Sequence, residues 1–145
     1  MPNNLSNYAE SGLLEFMFRA GTLSKPTMWL ALTSTVPTET DTGATITEIP
    51  HTAGNGYFRT VVSGSNMWSV PYDEGGSGSI TNLQVIQFNQ NLVSDWGWVS
   101  GVAILDASGD AAGQVWWAGN LATAKLLSVG DQFSIPSGSA ILRIS

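Results

Sequence analysis

Apolar residues keep two different rhythms along this chain. Between residues 5 and 20, Ala9, Leu13, Phe16, Met17 and Ala20 follow the i, i+4, i+7, i+8, i+11 spacing of one helical face, which predicts a single amphipathic helix. Asn7 followed by Glu10 predicts a capping box at its start, and Gly21 stands where a left-handed C-terminal cap belongs. Such a helix is expected to cover one face or one open end of a sheet. After Pro26 the rhythm changes to period two, in short runs of β-branched and aromatic residues separated by Gly, Pro, Asn and Asp. Strands are expected near 27–35, 56–63, 79–89, 97–106, 113–120, 131–135 and 139–144. Short alternating strands between turn residues predict an all-β sandwich or barrel.

Two stretches interrupt that rhythm. From Thr35 to Asn55 runs a polar segment rich in Thr that carries Pro37, Glu39, Asp41, Gly43, Glu48, Pro50 and His51. A loop of that length in a compact domain is functional or ordered by a partner. The run Asp73-Glu74-Gly75-Gly76-Ser77-Gly78-Ser79 predicts a flexible excursion, since its glycines hold no unique conformation unaided. Both loops are expected contact sites.

Composition narrows the partners. A chain of 145 residues predicts one domain, 1–145, with the helix at about 5–20 and the sandwich at about 26–145. Only 11% of residues are charged and 43% are apolar, which suits a protein packed against neighbours. The net charge is −6, and the five basic residues (Arg19, Lys25, Arg59, Lys125, Arg143) are scattered. Neutralising phosphates requires a concentrated basic face, so no nucleic-acid partner is expected. The lack of cysteine excludes disulfides, thiolate catalysis and zinc–thiolate sites. No run approaches the roughly 18 consecutive apolar residues of a membrane span. Met1-Pro2-Asn3-Asn4-Leu5-Ser6 lacks the basic start and apolar run of a secretory signal, so any export is expected to be by lysis or by riding on a particle.

Catalytic patterns are weak. His51 is the single histidine and lies in the polar loop, with no Gly-x-Ser-x-Gly elbow to accompany it, so a solvated or interface role is expected. Asp41, Asp73, Asp106, Asp110 and Asp131 each sit near Gly or Ser, where Asp caps its own backbone, rather than as an acid–base pair for glycoside cleavage. Asp106-Ala107-Ser108-Gly109-Asp110 alternates oxygen ligands but lacks the later acidic position of an EF-hand, and reads as a hairpin turn. No enzyme activity, cofactor or metal is expected.

Six tryptophans remain: Trp29, Trp68, Trp96, Trp98, Trp116 and Trp117. Trp96 and Trp98 are expected to project to one side of a strand, and adjacent Trp116 and Trp117 to opposite faces. A sandwich of this size holds only some of them, and the surplus suits subunit contacts or, alternatively, a platform on which sugar rings stack.

Several segments, in this order, together resemble a group of small bacteriophage virion proteins labelled tail-fibre-like or structural. They are Leu5-Ser6-Asn7-Tyr8-Ala9-Glu10; Pro26-Thr27-Met28-Trp29-Leu30-Ala31-Leu32-Thr33 with Pro37-Thr38; Gly56-Tyr57-Phe58-Arg59-Thr60; Ile80-Thr81-Asn82 before Ile86-Gln87-Phe88; Asp95-Trp96-Gly97; Ile104-Leu105-Asp106-Ala107; Trp117-Ala118-Gly119-Asn120-Leu121; and Gly130-Asp131-Gln132-Phe133-Ser134-Ile135-Pro136-Ser137-Gly138. The resemblance implies sandwich or jelly-roll modules that form oligomers on a virion. The expectation is a jelly-roll-like antiparallel β-sandwich with one N-terminal amphipathic helix. It would touch copies of itself and other virion proteins, the major capsid protein first and tail proteins next. Without shaft repeats, heptads or a collagen-like tract, a capsid cement or decoration role, on a protein made in the host cytoplasm, is expected ahead of the alternative, a tail or tail-fibre component with a receptor-recognition module for a host glycan. Candidate interface residues are Trp96, Trp98, Trp116, Trp117, Trp68, His51, Asp73 and Glu74.

Overall fold

Helix α1 spans Asn7–Phe18 in the computed structural model, which describes residues 4–51, 55–90 and 93–144. Its N-cap is Ser6, one residue before the expected Asn7: the Ser6 hydroxyl accepts from the Ala9 N–H at 3.2 Å. Ser6 wins because its hydroxyl also donates to the Val115 carbonyl, pinning the helix start to the sheet. Gly21 does not serve as a left-handed cap. The Arg19 and Gly21 N–H groups both reach the Glu15 carbonyl, at 3.0 and 3.3 Å, and a Cβ on Gly21 would lie 2.8 Å from Glu15 Cγ. Close approach is what requires glycine there.

Ten antiparallel strands, the first of them before α1, are present among the described residues: β1 (Asn4–Leu5), β2 (Trp29–Thr33), β3 (Thr60–Val61), β4 (Tyr72–Glu74), β5 (Ser77–Thr81), β6 (Ile86–Gln87), β7 (Gly97–Leu105), β8 (Val115–Leu127), β9 (Ser134–Ile135) and β10 (Ile141–Ile144). The expected strand 79–89 is two strands, β1 and β4 fall outside the expected strands, and β8 runs on to Leu127. They form a five-stranded sheet in the order β1-β8-β7-β2-β3, a three-stranded sheet β10-β5-β4 and a two-stranded sheet β6-β9. The fold is thus mostly antiparallel β with a single N-terminal helix. Its sandwich-like core lies between the large sheet (Leu30, Leu32, Val99, Ile104, Leu127) and the smaller ones (Ile86, Phe88, Phe133, with Ile135 and Leu142 half-buried). On the outer face of the large sheet, Ala31, Ala103, Leu105, Val115 and Ala118 pack beneath Ile46. β2 is therefore covered on both faces.

Both expected loops are structured. The segment from Thr35 returns along β2, with Ile49 N–H donating to the Leu32 carbonyl at 3.0 Å and Ile49 2% exposed; residues 52–54 of the expected loop lie outside the described residues, as do Met1–Asn3. The glycine-rich run is a tight hairpin rather than a flexible excursion. Gly75 and Gly76 have φ of +61° and +88°, as a two-residue turn between twisted strands requires, and Glu74 pairs with Ser77. The Asp73 carboxylate closes the turn by accepting from the Gly76 N–H at 2.9 Å.

Candidate assembly surface

The candidate interface residues do not converge on one site. Trp96 is a core residue, edge-on to Tyr57, with its indole N–H donating to the Asn55 carbonyl at 2.8 Å. Trp98 is 58% exposed. The expected common side for these two fails because Gly97 has φ +81°, which turns the chain at the strand entry and breaks the alternation. Trp68 is half-buried and donates to the Val62 carbonyl at 2.6 Å. In β8, Ile104 faces Trp117 while Leu105 faces Val115, so Trp116 is an extra residue in the ladder. Trp116 donates to Asp106 Oδ2 at 3.1 Å and meets Tyr8 of α1 edge-on, whereas Trp117 packs on the core and donates to the Arg143 carbonyl at 3.2 Å. Glu74 forms a half-exposed ion pair with Arg143 at 2.7 Å.

His51 is largely buried rather than solvated. Its Nε2 lies 3.0 Å from Glu48 Oε2, and its ring stands edge-on to Tyr57. Glu48 is the hub. It accepts from the Tyr57 hydroxyl at 2.7 Å and from Arg59 Nε and Nη2 at 2.9 and 2.7 Å, while Arg59 Nη1 donates to the Ala107 and Ala112 carbonyls at 2.7 and 2.9 Å. The Arg59 side chain is fully buried. Burial pushes the Glu48 carboxyl up, but hydrogen bonds from Arg59, His51 and Tyr57 and the charge of Arg59 outweigh it and hold the group below its ordinary 4.5. Burial pushes the Tyr57 phenol far up, so it stays a neutral donor. Asp110 brings a third possible metal ligand within 4.8 Å of Glu48 and His51. Both Glu48 carboxylate oxygens already accept from Arg59, so the arrangement suits a structural clamp joining three loops. Asp41, Asp106 and Asp131 accept from the Thr38, Gln114 and Ser128 N–H groups, as turn caps do.

Much of the unshielded apolar surface lies on α1. Of the expected helix face, Ala9 is buried and Leu13 half-buried, but Phe16 and Met17 are exposed, as are Leu14 and Phe18. Phe18 is 74% exposed. The helix leaves the sheet after its first turns, so its later residues have nothing beneath them. Leu14 and Phe18 are legible as an i, i+4 pair beside the expected stripe, a second apolar strip that widens it. A second patch pairs Trp98 with the exposed Leu126 across β7 and β8. Between β8 and the segment from Phe133 to Leu142 the layers part, leaving an apolar cleft of about 440 Å³ lined by Ile104, Trp117, Leu121, Phe133, Ile135 and Leu142.

The chain matches a known family, Podophage GP4 fiber I protein gp80, over residues 4–143. The chain belongs to this family. As a gp80-family member it is a small phage structural protein of the fibre-like kind, a virion component whose work is done among other virion proteins. Among curated proteins, none matches it.

Proposed function

We propose that this gp80-family chain is a non-catalytic tail-fibre component, fixed in the virion by apolar contact, rather than a capsid cement protein. The order of the two roles expected from the sequence is thereby reversed. What carries the reading is α1: Leu14, Phe16, Met17 and Phe18 stand exposed on a helix anchored at Ser6, an attachment element that gains most when a neighbour covers it. The family description of a fiber protein supports the tail over the shell. Trp98 supports a protein contact over a glycan platform, because its cross-strand partner is Leu126 rather than a carboxylate or amide. The carboxylate beside the single histidine, Glu48, is already taken up by the buried Arg59 and by Tyr57, which supports the non-catalytic part. Cryo-electron microscopy of intact virions tests the proposal: density for this chain is expected on tail appendages, and a repeat confined to the capsid lattice would overturn it.

A further inference from the structure

Three of the five cations are paired with carboxylates: Arg19 with Glu15, Arg59 with Glu48 and Arg143 with Glu74. Lys25 and Lys125 have no ion-pair partner among the described residues, and both border apolar hollows that meet at Trp117. Lys125 lies on the rim of the 440 Å³ cleft, and Lys25 on a smaller hollow of about 280 Å³ beside it. In a chain of net charge −6, these two free positive charges frame an unfilled apolar space.

The same chain carries the complementary element. On α1, Leu14, Met17 and Phe18 form one exposed strip by their i, i+3, i+4 spacing, with Met17 at the border of the side on which Ala9 is buried and Leu14 and Phe18 turned from it, and Glu10 lies on that strip without an ion-pair partner among the described residues. At interior packing density the cleft has room for roughly three large side chains. We propose that the exposed α1 strip of one copy docks in the Trp117 cleft of a second copy, with Glu10 approaching the lysine rim. The contact is heterologous, so it propagates from copy to copy until a ring closes or the array is capped. With 59%, 59% and 74% of Leu14, Met17 and Phe18 free to be covered, the helix contributes about 350 Å². An equal area from the cleft puts the contact in the weak class, so it forms at high local concentration.

The test uses the full chain in sedimentation experiments from micromolar to near-millimolar concentration. A helix variant, Leu14→Ser with Phe18→Ser, and a cleft variant, Ala122→Arg with Lys125→Glu, change exposed positions, so their thermal midpoints should stay near wild type. Wild type is expected to self-associate and each variant alone to associate at least roughly tenfold more weakly. Mixed, the two are expected to form a one-to-one pair, because one retains the cleft and the other the helix. Wild type that stays monomeric, variants that assemble like wild type, or a mixture that gains nothing would each overturn the proposal. So would uptake of a fluorescent fatty acid by a chain that never self-associates, which would assign the cleft to an anionic amphiphile. The inference rests on the assembly reading above, yet the two fail separately. A monomeric chain found on tail appendages overturns only the self-contact, and a chain confined to the capsid lattice overturns the fibre reading.

Discussion

Replacing Arg59 by Met tests the buried clamp most directly. The substitution keeps an unbranched chain in a fully buried position but removes both bonds to Glu48 and both bonds to the Ala107 and Ala112 carbonyls. Glu48 is then left nearly buried with only His51 and Tyr57 as donors. Removing one member of a buried pair costs about 3–5 kcal/mol, a large part of the roughly 5–15 kcal/mol that holds a domain folded. The pH dependence carries the sign. In wild type the folded Glu48 carboxyl sits below its ordinary 4.5, so its contribution is present above that value and lost as pH falls through the folded one. In the variant burial acts with fewer opponents and the carboxyl rises, so protonation relieves the penalty. The gap between the proteins is therefore widest near neutrality and narrows toward about pH 4. Urea unfolding followed by tryptophan fluorescence measures it, with Glu48→Gln plus Arg59→Met as the partner variant. The double change removes the stranded charge and should restore at least about 2 kcal/mol of the loss. A single-variant loss below about 1 kcal/mol, the range of an exposed pair, or a gap that does not change with pH, refutes the reasoning.

Thr33 is fully buried and its hydroxyl has no hydrogen-bond partner among the described residues, so Thr33→Val should raise stability by about 1 kcal/mol in the same assay; a loss would mean the hydroxyl is satisfied. Gly43→Ala would place a Cβ 2.0 Å from the Ala112 carbonyl oxygen and should cost at least about 2 kcal/mol, read as a drop in thermal midpoint. Ser6→Ala should cost about 1–2 kcal/mol by removing the cap of α1 and its tie to Val115, with reduced helical signal in circular dichroism. In the β4–β5 turn, Gly76→Ala should cost about 1 kcal/mol while Gly75→Asn stays near neutral, since Asn tolerates the left-handed region; equal effects would rule out this turn geometry.

The local features of this fold were legible in the chain alone. Period-two alternation and its turn residues located most of the antiparallel strands, though not β1 or β4 and not the break between β5 and β6, and the spacing from Ala9 to Met17 located α1, because each reports which side chains share a face. What covers a face is a non-local fact. The stripe through Phe16 and Met17 looked like core and is exposed, because the helix runs past the edge of its sheet. Trp96 and Trp98 parted because one glycine took a positive φ, a choice that alternation does not encode. Glu48, Tyr57 and Arg59 looked like unrelated residues in and after a polar loop. They meet because that loop folds back along β2, and Arg59 reaches carbonyls about fifty positions away. Sequence thus determined that this chain is a strand-rich module with one helix and more aromatic surface than a small core needs. Only the tertiary structure decided which of that surface is buried and which is left for a neighbour, since burial depends on the layer that happens to lie opposite.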